Sequence, residues 1–177
     1  MSLANLIGTT PHLSSLLRKA RCLGYATPDD LQQLAVLRGC SHYRLPDSKS
    51  EAIEDCGRDR FSNEELAVAL VSAGSDGGAH HIRVAAQLLG APGLNAALVA
   101  RLARMERCVP ILRYIAEAGI REDQAGADFW KALLQFLPSG QTIEEGRMPH
   151  PSRFMSQPGW TPASRPQRRA SWLRAHG

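Results

Sequence analysis

Cys40, His42 and Cys56 place two thiols and an imidazole, ligand types that zinc favours, in or beside one irregular stretch of the chain. A single residue separates Cys40 from His42, where zinc sites usually leave about two to four. A fourth ligand is unnamed, with Cys22 merely available, so small thiols are the expectation and no metal or other cofactor is assigned. The segment GSDGGAHH, Gly74 to His81, feeds a glycine-rich turn into a helix start whose amides could hold an anion. It lacks the lysine of a phosphate loop, and Asp76 as a cap with Gly77 and Gly78 as the turn accounts for it. His80 and His81 would point about 100° apart on a helix and cannot easily share one metal. No nucleophile elbow, Walker loop, zinc-protease helix or dinucleotide fingerprint is present.

Arginine carries the remaining chemistry. Lysine occurs only at positions 19, 49 and 131, a bias that fits a GC-rich, bacterial coding sequence. Arg101, Arg104 and Arg107 recur every third residue and form a drifting stripe beside Leu94, Leu98, Leu102 and Met105. Such a stripe is either a solvated helix face or a surface for an acidic protein segment or phosphate backbone, with Glu106 and Glu117 offsetting part of it. Residues 139–177 hold six arginines against Glu144 and Glu145, a net charge of +4 that equals the +4 of the whole chain, so residues 1–138 balance. Arg168, Arg169 and Arg174 lie there with Trp160 and Trp172, a mixture suited to docking a protein or to pairing phosphates and stacking bases.

The elements that must position these groups read as helices. Apolar residues make up 44% of the chain but aromatics only 6%, and Ala and Leu outnumber the strand-favouring residues. Thr10 before Pro11 signals a first helix with Leu13, Leu16, Leu17 and Ala20 on one face, stopped by Gly24. Thr27, Pro28, Asp29 and Asp30 start a second, closed by Gly39 behind Arg38. Together they predict an N-terminal hairpin, 1–39, with Leu31, Leu34 and Leu37 turned inward. Residues 40–61 are polar and broken by Pro46 and Gly57, as a linker would be. Ser62 and Glu65 have capping-box spacing, with Phe61 as a staple. A five-helix body, 62–138, follows at about 63–72, 80–89, 94–107, 109–118 and 127–137, able to merge with 1–39. Pro110 divides the third helix from the fourth, and Trp130 is expected inside. Residues 139–177 lack an apolar period and are expected to be a disordered Pro/Arg-rich tail.

Within the body, IRVAAQLLG (Ile82 to Gly90) is echoed by LRYIAEAG (Leu112 to Gly119), placing Arg83 on Arg113 about 30 residues later. Each is followed by a second helix, and residues 62–137 resemble short HEAT-type helical repeats. The resemblance implies a stacked-helix scaffold with a concave surface for protein or nucleic acid. About three units are generally needed to bury a continuous core, so a helical bundle of the same helices is the alternative all-α architecture.

The N-terminus lacks a basic stretch followed by an unbroken apolar run, and no stretch reaches the roughly 20 apolar residues of a membrane span. A cytoplasmic protein with reduced cysteines is expected. The first functional reading is a non-enzymatic interaction or adaptor module that binds a protein partner through a helical groove and the basic tail. A nucleic-acid-associated factor using the tail is the alternative. An enzyme of unidentified type comes third. Oligomeric state is not encoded in any visible pattern.

Overall fold

The run from Leu66 to Val71 has no polar face, and a helix that is apolar all round has to lie at the centre of its fold. The computed structural model describes residues 14–40, 53–75, 78–140, 143, 148–155 and 171–175. Among them seven α-helices follow in chain order: α1 (Ser15–Cys22), α2 (Pro28–Leu37), α3 (Asn63–Val71), α4 (Ala79–Leu89), α5 (Ala96–Met105), α6 (Val109–Glu122) and α7 (Ala127–Phe136). Short 3-10 turns occupy Gln124–Gly126 and Pro151–Phe154. The architecture is an all-α helical bundle. α3 is its centre, with every residue from Leu66 to Val71 fully buried and with α1, α2, α4 and α5 packed around it. α7 lies across α5 and α6.

Local signals explain most of the helix starts. Thr27 and Asp30 exchange side-chain and backbone hydrogen bonds at the start of α2, as Ser62 and Glu65 do at α3. Each pair satisfies two amides that a helix N-terminus leaves without partners. Asn95 caps α5 by accepting from the Leu98 N–H, so that helix begins at Ala96 rather than near Leu94. α6 runs on to Glu122, beyond the expected stop before Gly119. Gly119 lies inside this helix and Trp130 packs directly on it: a Cβ there would stand 2.5 Å from the indole Cδ2. The two glycines of the internal echo therefore do different work, Gly90 as the C-cap of α4 and Gly119 inside α6.

The N-terminal region departs from a simple hairpin. Ser14 is extended, its side chain accepts from the Leu17 N–H, and α1 starts at Ser15. A helix unbroken from Pro11 is therefore excluded, while Thr10 and Pro11 lie outside the described residues. α1 and α2 both rest against α3 instead of chiefly against each other. Leu31 and Leu34 are buried, but Leu37, in the last turn of α2, is 55% exposed.

The linker's described end is anchored. Arg38, nearly fully buried, grips Asp55 through Nε and Nη2 at 3.0 and 2.8 Å and donates through Nη1 to the Phe61 carbonyl and Asn63 Oδ1. The Arg38 guanidinium holds the Asp55 carboxyl below its usual range. Tyr25 adds a second tie, donating to the Glu54 carbonyl and accepting from the Cys56 N–H.

Residues 139–177 were expected to be disordered, and their described parts dock instead. Phe154, Trp172 and Ala175 are buried, and Met155 pairs with Trp172 in an antiparallel bridge. These described parts pack on α4, α6 and α7. Arg168, Arg169 and Trp160 lie outside the described residues. Among the described residues no helix is long and apolar enough to cross a membrane.

Candidate functional site

α5 presents the arginine stripe. Its buried face is Val99, Ala100, Leu102 and Ala103, which leaves Arg101 and Arg104 outward, both exposed, with guanidinium groups that make no hydrogen bond or ion pair among the described residues. The helix ends in a Schellman turn: the Cys108 N–H donates to the Ala103 carbonyl at 3.0 Å and the Arg107 N–H to the Arg104 carbonyl at 3.4 Å. This turn needs a left-handed residue, a place where glycine is usual, and Arg107 fills it at φ 54°. Beside it Met105 is 53% exposed. The end of α5 thus combines outward guanidinium groups with an apolar side chain.

Glu106, read from sequence as a partial neutraliser of this stripe, turns the other way. It is fully buried. Its Oε1 accepts from Ser15 Oγ at 2.7 Å and the Leu16 N–H at 3.1 Å, and its Oε2 from Ser72 Oγ at 2.9 Å. Burial opposes its charge, but hydrogen bonds from Ser14, Ser15, Leu16 and Ser72 outweigh burial and hold the carboxyl below its usual range. The carboxylate sits at the N-terminus of α1, where an unpartnered amide and the helix dipole favour an anion. Its removal from the surface leaves the α5 stripe more strongly positive.

Arg83, Arg113 and Arg174, also singled out by the sequence, are engaged within the molecule. Arg83 is half-buried and donates through Nε to the Ala79 carbonyl one turn back on α4. Arg113 pairs with Glu117 at 3.3 Å and donates to the Pro138 carbonyl. The arginines that recur at 83 and 113 thus both meet local partners. Arg174 donates to the Gly90 carbonyl and pairs with Asp123. Trp172, expected as an exposed stacking surface, lies under the 154–155 segment with its Nε1 donating to the Ala86 carbonyl at 3.0 Å.

Asp123 was not singled out by sequence. It is buried and accepts from Trp130 Nε1 at 2.8 Å and the Gly126 N–H at 3.2 Å in addition to Arg174. A cavity of about 230 Å³ opens beside this pair, between Leu89–Leu94, Phe129 and Trp130, with Asp128 at its edge. That is smaller than the roughly 300 Å³ at which sites for drug-sized molecules begin.

The chemistry of the irregular stretch is quiet. Cys40 is buried, and burial pushes its thiol up to about 12; Cys108 is raised by burial and by the charge of Glu106. Neither is a ready thiolate. Cys56 is half-buried, Cys22 is exposed, and His42 lies outside the described residues. No group of three His, Cys, Asp or Glu able to hold a metal occurs among the described residues. At the start of α4 the Gly78 N–H is taken by His81 Nδ1 at 3.2 Å, so that amide is not open to an anion; Asp76 and Gly77 lie outside the described residues. No family model matches the chain, and no curated protein or solved structure matches it.

Proposed function

We propose that the protein is a non-enzymatic cytoplasmic interaction module that captures an acidic protein segment on the outward face of α5. The observation that carries this reading is the pair Arg101 and Arg104, exposed and with guanidinium groups unpartnered among the described residues, next to the exposed Met105. Charge supplies steering and register, and the methionine supplies adaptable apolar contact. Arg107 adds a second line of support, since a non-glycine residue in a left-handed turn is strained and such strain clusters at functional positions. The scaffold reading, a short HEAT-like stack, rests on the recurrence of Arg83 and Arg113 on α4 and α6.

The test is fluorescence anisotropy with a short labelled peptide of Glu interleaved with Leu, alongside a labelled single-stranded oligonucleotide. The peptide should bind, weaken with salt, and lose about tenfold or more in affinity to the double variant Arg101→Glu/Arg104→Glu, whose thermal midpoint stays unchanged. Equal binding by the double variant would sink the reading. Tighter binding of the oligonucleotide at the same ionic strength would replace it with the nucleic-acid alternative.

A further inference from the structure

Residues 171–175 are held on the bundle in the way a bound peptide is held. Trp172, Leu173, Arg174 and Ala175 each donate to an acceptor outside the segment. Trp172 Nε1 donates to the Ala86 carbonyl, the Ala175 N–H to the Gln87 carbonyl at 3.2 Å, and the Leu173 N–H to the Phe154 carbonyl at 2.9 Å. Arg174 donates to the Gly90 carbonyl and to Asp123. Three of these acceptors are carbonyls at the C-terminal end of α4, where the helix dipole is negative; those of Ala86 and Gln87 also accept from the Gly90 N–H. With the Asp123 carboxylate they form a surface complementary to a cationic, donor-rich chain.

Gly90 shows that the surface is shaped around the indole. Its backbone is right-handed helical, φ −78° and ψ −10°, a conformation that any residue adopts. Glycine is required there by approach: a Cβ would stand 2.7 Å from Trp172 Cδ1 and 3.1 Å from the Leu173 carbonyl oxygen. The indole then rests between the rings of Trp130 and Phe154, with centroids at 5.2 and 5.4 Å. The cavity of about 230 Å³ borders Arg174 at the guanidinium end of the segment.

We propose that the C-terminal end of α4 is a peptide-recognition site for an extended Trp–x–Arg segment, filled in cis by the chain's own residues 171–175, and that a partner's segment of the same chemistry displaces them. Binding is by β-type pairing plus one aromatic anchor and one guanidinium clamp. It uses none of the α5 arginines.

The test uses the full chain with a site-specific protease sequence inserted between Ala163 and Ser164. After cutting, the C-terminal piece should co-elute with the body, and a fluorescein-labelled peptide Ser-Trp-Leu-Arg-Ala should exchange into it saturably. Peptides with alanine for Trp or Arg should bind about tenfold more weakly or worse. In the uncut chain, the amides of Leu173 and Ala175 should exchange with solvent about a hundredfold faster than those of α3, as an independently opening segment does. Failure of the peptide to enter, loss of the cooperative melt on release of the piece, or exchange at the α3 rate would each overturn the proposal. A dimer that trades protomers with a tagged copy and loses the segment's cis contacts would assign the site to a second chain, and would overturn it as well.

Discussion

Two buried carboxylates flank α6, and each holds a segment distant in sequence. Glu106, just before the helix, takes donors from α1, about 90 positions away; Asp123, just after it, takes Arg174, 51 positions away. Their partners differ in kind. Glu106 is satisfied by hydroxyls and an amide, with no cation among these donors, inside a region where Ser72, Ser14 and Leu16 are all buried. Asp123 is satisfied by an indole, an amide and a guanidinium whose side chain is 27% exposed. A closed set of neutral donors makes a permanent joint, because no outside group reaches it. A clamp with a solvent-facing cation can be exchanged.

The largest effect should come from breaking the closed joint. Glu106→Ala leaves two hydroxyls and an amide without their acceptor and is expected to cost about 4 kcal/mol, measured by urea denaturation. Glu106→Gln keeps part of the set and should cost about 2 kcal/mol. Both should expose the amides of α1 to exchange while leaving those of 173 and 175 as they are. The reverse pattern would undo the contrast between the joints.

Acid reads the same contrast. The folded-state pKa of Glu106 is depressed, so its contribution is fully present above the unfolded glutamate value of about 4.3 and is lost as pH falls through the lower folded value. The stability gap between wild type and Glu106→Gln should therefore narrow below about pH 4.3. A gap that widened there would mean that Glu106 is not the charged latch. Asp55, depressed beside Arg38, adds acid lability in the same direction to both proteins and so cancels from the difference.

The exchangeable joint should break more locally. Gly90→Ala forces a Cβ against the Trp172 indole and is expected to cost about 2 kcal/mol as overpacking, with faster exchange at 173 and 175 and α1 unaffected. Equal loss of protection across both segments would show that 171–175 is part of one cooperative core. The smallest effect is a gain: Arg107→Gly relieves a left-handed arginine and should raise stability by about 0.5 to 1 kcal/mol, read as a higher thermal midpoint. If it also weakened the acidic peptide, Arg107 would belong to the docking face.

What the sequence disclosed was local. The cap at Thr27, the box at Ser62 and the buried Trp130 are written in spacings of a few residues, and each appears in the fold. Glu106 stood in RMERC as one more surface acid, because its donors at Ser15 and Ser72 are 91 and 34 positions away. Arg38 read as a helix-end arginine for the same reason, with Asp55 and Phe61 beyond any local window. Trp172 and Arg174 misled most. They lack an apolar period because they borrow α4, and the one local hint was a glycine at 90 with no conformational need to be glycine.

The four thiols are buried to different depths, and that grading gives the molecule an internal clock. Cys22 faces solvent, Cys56 is half-covered, and Cys40 and Cys108 are shut in the core. A thiol-reactive dye should therefore mark Cys22 first and Cys56 next, and reach Cys40 and Cys108 only at the pace at which the bundle opens. Cys108 is two residues from Glu106, so its labelling time reports directly on the joint that fastens α1.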